Sequence, residues 1–252
     1  MTQDTSQRSI TFVVPALNEE GSLAGAVSDF LLAVNGRFSS YEIILIDDGS
    51  TDQTGAIADQ IAAKNPLVKV IHHACNMGIG FSLREGYGLA TKDYVIWGPS
   101  DRGLTVESFT TMFDHLNEAD ILIPFIANPS FRPLSRQMIS RAYVLMLNLL
   151  FGLGLRYYNA PIVYRTKIIQ HVKATSTGFS FAAELLILTI KAGYTYLEIP
   201  TIHLMRACGA SKAISMKNLT EVFQTLTKLA WDVHFGASRH AARVAPGATQ
   251  DV

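Results

Sequence analysis

The segment Glu42 to Thr54, EIILIDDGSTDQT, constrains the fold of this chain more than any other stretch. Four consecutive apolar residues, Ile43 to Ile46, suit a strand buried in a parallel sheet, and two adjacent carboxylates, Asp47 and Asp48, stand where that strand ends. Open α/β sheets bind ligands beyond the carboxyl ends of their strands, so the pair marks a site as well as a fold. Asp48, Ser50 and Asp52 could instead turn the chain and cap the next helix. Capping accounts for Ser50 or Asp52 but gives no reason to set two acids side by side.

The stretch Ile10 to Leu23, ITFVVPALNEEGSL, follows the same plan: an apolar strand runs through Pro15 into Asn18, Glu19 and Glu20, whose charges would complement a helix N-terminus. Further strands are expected at Val68 to His72, Tyr94 to Trp97 and Ile121 to Phe125, with helical patterns between them. That alternation predicts an α/β fold, a mostly parallel, Rossmann-like sheet flanked by helices in a single domain. A dinucleotide fingerprint would need G-x-G-x-x-G after the first strand, and only Gly21 stands there.

Length and charge narrow the class. A chain of 252 residues suffices for one large domain, and zero formal net charge with 17% charged residues gives no general reason to expect nucleic acid. Cys75 and Cys208 are too few for a disulfide framework and are expected as reduced thiols. The first residues, MTQDTSQRS, lack the apolar core of a signal peptide, and no apolar run reaches the roughly 18 residues of a spanning helix. The expectation is a cytoplasmic chain with a disordered lead over 1–8, a catalytic domain over 9–215, an amphipathic helix over 216–238 and a frayed tail over 239–252.

The pair VVPALNEE and IDDGSTD, about one βαβ unit apart, resembles the nucleotide-sugar half of glycosyltransferase family 2, whose domain is of the GT-A type. The resemblance implies a nucleoside diphosphate sugar donor, held by Pro15, Leu17, Asn18, Glu19 and the acids Asp47 and Asp48. It also gives Asn76 and Gly78, in NMGIGFSLREG, a supporting role beside the nucleotide. Glycines there allow close backbone approach, and the helix start that follows would attract phosphate. His72 and His73 are read as structural rather than as metal ligands.

Many relatives end the fourth strand with Asp-x-Asp, which holds Mg or Mn against the donor diphosphate. Here the sequence reads VIWGPSDRGLTVESF, with Pro99 in place of the first acid and Asp101 in place of the second. One carboxylate with diphosphate oxygens and water still suits Mg, and Arg102 offers added positive charge. Asp101 as a plain turn residue is the competing reading.

The segment Arg132 to Thr166 resembles polyprenol-phosphate glycosyltransferases, in which an Arg-x-x-x-Ser pair grips the acceptor phosphate. The matching residues are Arg136 and Ser140, one helical turn apart. A further family Arg is replaced by the apolar run Ile123 to Phe125, and the family's Gly-Phe-Arg by Ala160, Pro161 and Ile162. Later, a helix holding Glu184 and a strand ending in Glu198, Ile199 and Pro200 also resemble the family, and after them Arg206, Ser211 and Lys212 match a loop that closes over both phosphates. The resemblance thus gives catalytic roles to Asp101, Arg206 and Lys212, and the acceptor phosphate to Arg136, Ser140 and Ser211.

Taken together, these residues predict an inverting transfer from a nucleoside diphosphate sugar to a polyprenyl phosphate or another lipid-linked acceptor. Two alternatives stay open: transfer to a polysaccharide or glycolipid hydroxyl, with Asp101 or Glu184 as base, and nucleotide-sugar binding without turnover. Met138 to Leu153 is apolar on most faces, and Met216 to Phe235 carries apolar residues at helical spacing. The latter fits packing on the domain and equally a peripheral place on the inner face of a membrane.

Overall fold

The computed structural model describes residues 8–204 and, nearer the C-terminus, 222, 225–231 and 233. Its strands form one seven-stranded sheet in the order β3-β2-β1-β4-β6-β5-β7. Strands β1 (Ser9–Ala16), β2 (Ser40–Asp47), β3 (Val68–His72) and β4 (Tyr94–Trp97) are parallel, with β1 between β2 and β4. β5 (Ile121–Ile126) pairs in parallel with β7 (Tyr196–Thr201), while β6 (Val163–Arg165) is inserted antiparallel between β4 and β5. The five strands expected as far as Phe125 are all present, each at its expected place. The antiparallel β6 was not expected, because only three residues carry it.

Successive strand residues point to opposite faces, and the sheet is apolar on both. Ile10, Phe12, Val14, Ile43 and Leu45 meet α1 (Leu23–Val34), α2 (Thr54–Lys64) and α4 (Val106–Asp114). Phe12 stacks on Phe30 at 4.7 Å between ring centroids, and Phe109 meets Phe30 edge-on at 5.5 Å, so aromatic geometry fixes this layer. Val13, Ile44 and Ile46 face the other way, toward α3 (Ile79–Leu89), α5 (Leu134–Phe151), α6 (Thr166–His171) and α7 (Phe181–Lys191).

Residues 225–231 are helical, and Leu226 and Leu229, each 4% exposed, join this second layer with Val222, Ala230 and Val233 packed against it. The described part of the amphipathic segment therefore packs on the domain. The order of strands reverses between β1 and β4, and the crevice beyond their carboxyl ends is where an open α/β sheet takes a ligand.

Candidate active site

On one side of that crevice, side chains stitch the loops after β1 and β2 together. Asn18, whose φ of 56° is left-handed, receives Thr51 N–H at its Oδ1 (2.8 Å), and its own N–H donates to Ser50 Oγ (3.0 Å). Glu19 N–H donates to Thr54 Oγ1 at 2.7 Å, and Glu20 accepts Gln53 N–H at 3.0 Å. Of the two glutamates expected to serve their own helix, Glu20 turns its carboxylate to the neighbouring loop, while that of Glu19 meets Ser22 at the start of α1. Glu20 reaches the start of α2, and Glu19 accepts Ser22 Oγ–H at 2.5 Å. Pro15 is buried, Leu17 and Glu19 are half-buried, and Asn18 is exposed.

Asp47 and Asp48 are both buried and both engaged. Asp47 accepts Ser50 N–H at 3.0 Å and faces His72 Nδ1 at 3.0 Å. Burial alone would raise its pKa, but the Ser50 and His72 hydrogen bonds outweigh it and leave the carboxyl below its usual value. Asp48 accepts Met77 N–H (2.8 Å) and Gly78 N–H (3.0 Å) and meets His73 Nδ1 at 2.7 Å. The paired acids therefore fasten two neighbouring loops. Three of the roughly four acceptor positions of the Asp48 carboxylate are used by these bonds, which leaves one for a ligand.

The glycine loop needs a correction. Gly78 has φ of 96°, as a glycine can, and donates to both Asp48 and Asn76 Oδ1 (2.9 Å). Gly80 N–H and Phe81 N–H both donate to Thr177 O, at 2.9 and 3.1 Å. A Cβ on Gly80 would stand 2.7 Å from Gly178 O. These amides hold a joint between two loops rather than presenting an open phosphate cradle. His72 and His73 are structural in the same sense: their outer nitrogens meet Asp59 at 3.0 Å and Glu85 at 2.8 Å.

Across the crevice, Ser100 Oγ donates to Pro15 O at 2.9 Å and ties the end of β4 to β1. Beside it opens a cavity of about 420 Å³ whose lining includes Trp97, Pro99, Asp101, Arg132, Arg136 and His203. Asp101 and Arg136, far apart in sequence, meet in this wall. Ser140 is half-buried on the next turn of α5 and lies outside the lining. Arg102 is also outside it: its guanidinium forms a bidentate pair with Asp29 of α1, at 2.7 and 3.1 Å, and so serves the fold rather than the cavity. Glu184 is 5% exposed and accepts Thr175 N–H and Ser176 N–H, each at 2.9 Å, so it clasps a loop and is not placed as a base. Arg206, Ser211 and Lys212 lie outside the described residues.

Two cavity residues have no marker in the sequence. Arg132 comes from the turn before α5, and His203 from just beyond β7. Burial and then the nearby charge of Arg132 push the His203 pKa down to about 4, so its ring is neutral near pH 7.

The switch-point crevice of this sheet thus carries a stitched acidic loop on one side and a carboxylate with two arginines on the other. Residues 11–179 match the model of glycosyl transferase family 2, and the chain belongs to that family. Its relatives include the undecaprenyl-phosphate mannosyltransferase of Micrococcus luteus, 26% identical over 79% of this chain and 85% of the relative. The polyprenol monophosphomannose synthase of Mycolicibacterium smegmatis is also 26% identical, over 86% of this chain and 84% of its own length. Among solved structures, glucosyl-3-phosphoglycerate synthase of Mycobacterium tuberculosis, in complex with Mn2+, UDP-glucose and phosphoglyceric acid, shares the fold. Its TM-score is 0.66 at 19% identity, covering 88% of this chain and 80% of that one.

Proposed function

We propose that this glycosyltransferase moves a sugar, with inversion, from a nucleoside diphosphate sugar to a polyprenyl phosphate. The observation that carries the reading is the shared wall of Asp101, Arg132 and Arg136 at the switch point, where two guanidiniums suit an anionic acceptor. The names of the relatives agree with it. An oxygen of the acceptor phosphate would attack the anomeric carbon as the bond to the diphosphate oxygen breaks. That oxygen is already anionic near neutral pH and needs no base. A hydroxyl acceptor would need one, and Glu184, with its oxygens occupied by Thr175 and Ser176, is poorly suited to the task.

For the donor, Pro15, Leu17, Asn18, Glu19 and Asp48 are the proposed contacts, with Asp47, Asn76 and Gly78 holding the loops in place. The cavity has a carboxylate after β4, and Asp101 would offer a hard divalent ion an oxygen ligand there, so it fits Mg or Mn. When bound, such an ion stabilises the charge that develops on the departing diphosphate. Arg206, Ser211 and Lys212 keep their proposed roles on the two phosphates.

The acceptor's lipid chain suggests a membrane surface. Helix α5 begins at the arginines and turns Leu134, Met138, Leu145 and Leu149 outward, between 59% and 77% exposed, while Leu147 and Phe151 are buried against the sheet. No helix among the described residues is long and apolar enough to cross a membrane, so the proposed attachment is peripheral.

Incubating the protein with labelled GDP- or UDP-sugars, Mn2+ and polyprenyl phosphate tests the reading. Label should pass to the lipid phosphate and not to the corresponding polyprenol. Transfer to a sugar hydroxyl with none to the lipid phosphate would reject it.

A further inference from the structure

His73 joins two acids that the fold brings together from different elements. Its Nδ1 lies 2.7 Å from Oδ1 of Asp48, just beyond β2, and its Nε2 lies 2.8 Å from Oε2 of Glu85 on α3. The His73 and Asp48 side chains are 8% and 4% exposed, and the ring meets Phe81 edge-on at 5.4 Å between centroids, so water is poorly placed to replace the bond between them. His72 makes a similar bridge from Asp47 to Asp59 but stands 44% open, where water can take over its bonds.

Proton counting decides what the covered bridge needs. A neutral imidazole has one N–H and one bare nitrogen, whereas the imidazolium has two N–H groups. Between two ionised carboxylates, only the imidazolium donates on both sides. On Asp48 the grip falls on one oxygen: Oδ1 takes His73 and Met77 N–H (2.8 Å), while Oδ2 accepts Gly78 N–H at 3.0 Å and has room for one more donor. We propose that His73 is a positioning residue for the donor: as an imidazolium it holds Asp48 by Oδ1, keeps Oδ2 open for an N–H or O–H of the nucleoside, and loosens the donor when it loses a proton. This rests on the contact between Asp48 and the donor in the reading above.

Charge acts in the same direction. Residues 17–22 and 48–54, which include Glu19, Glu20, Asp48 and Asp52, contain no Lys or Arg, and a donor with an anionic diphosphate has to settle beside them. A ring that loses its charge leaves this wall more negative. The groups that face His73 are Asp48 and Glu85, with Arg84 over the Phe81 ring at 5.3 Å. The Asp47 and His72 pair is joined through the backbone, where His73 N–H donates to Asp47 O at 2.9 Å. Burial lowers the His73 pKa, but the bonds to the two acids outweigh it, so the charged form persists to higher pH than in a free chain.

Calorimetry of the full chain with UDP and GDP in fixed Mg2+, from pH 6 to pH 9, with 15N NMR of the histidine rings, tests this without turnover. Wild-type affinity for the accepted nucleotide should fall at least fivefold as the His73 ring loses its proton. The ratio of wild-type to His73→Gln affinity, in which the titration of the nucleotide cancels, should fall with it. Glu85→Gln removes one acid of the pair and should move the ring titration and the fall in affinity to lower pH together. If the wild-type ring keeps both protons to pH 9, the fall is read in Glu85→Gln, whose ring titrates lower. Affinity that stays level while the ring titrates, or a ring already neutral at pH 6, would overturn the role of His73 and leave the Asp48 contact standing. Absence of UDP or GDP binding at every pH would overturn the donor reading itself. The Glu85→Gln arm alters a partly exposed side chain, so a misfolded His73→Gln protein would not blunt the test.

Discussion

At the level of single residues, the carboxylates after β2 owe their arrangement to two histidines. The side chain of His73 is largely covered, which works against its charge, yet its hydrogen bonds to Asp48 and Glu85 more than compensate and raise its pKa above the ordinary value. A group with a raised folded pKa contributes stability that is fully present below its unfolded pKa of about 6.5 and is lost as pH rises through the folded value. His73→Gln should therefore unfold at lower urea, by about 1–3 kcal/mol at pH 6, and the gap should narrow by pH 9. A gap of equal size at both pH values would show that the ring is not charged in the folded protein. The pair Asp47 and Asp48 was legible as the end of a buried strand, because four apolar residues run straight into it. Their partners were not legible. Asp48 is bonded by residues 25 to 30 positions away, and His203 is held by Asn128 from 75 positions away, distances over which no local pattern speaks.

Among the elements, α3 shows how one helix uses similar glycines to opposite ends. A Cβ on Gly86 would lie 2.2 Å from Val13 Cγ1, in the fully buried centre of the sheet, whereas one on Gly88 would meet nothing within 4 Å. Gly86→Ala should destabilise by about 1–3 kcal/mol through overpacking, while Gly88→Ala should stabilise by up to about 1 kcal/mol through helix propensity. Thermal unfolding of the two variants checks the opposite signs. Helix α5 makes a second claim at this scale. Replacing Leu134, Met138 and Leu145 with Gln removes apolar surface that stands in water in the free protein. Binding to phospholipid vesicles should fall tenfold or more, with turnover on a short-chain soluble acceptor little changed. Equal vesicle binding would move the attachment elsewhere. Four of the first five strands were legible as apolar runs of four or more residues, and Val68–His72 as a shorter β-branched run interrupted by Lys69, each followed by a polar turn. β6 was not, since Val163–Arg165 is short and is ordered by antiparallel pairing with β4 and β5 rather than by its own pattern.

Across the whole molecule, the loops proposed for the donor and the cavity proposed for the acceptor share one joint. Asp48 holds Met77 and Gly78, and α3 starts there with Gly80 and Phe81 bonded to Thr177 O. The residues just after Thr177, Gly178 and Phe179, line the cavity together with Ile79. Loosening Asp48 should therefore disturb both the loops and the cavity, whereas Arg136 stands in the cavity wall. If Asp48 contacts the donor as proposed, Asp48→Ala should raise the KM for the nucleotide sugar and, through the joint, the KM for polyprenyl phosphate as well. Arg136→Ala should raise only the acceptor KM, by roughly 10–100-fold, the worth of a lost charge-assisted bond. The double variant should then fall short of the product of the single effects on the acceptor, because loosening the joint disturbs the wall in which Arg136 stands and such coupled effects do not add. Steady-state kinetics with each substrate varied in turn reads all three effects. An acceptor KM untouched by Asp48→Ala would mean that the joint transmits nothing and that the two walls bind their substrates independently.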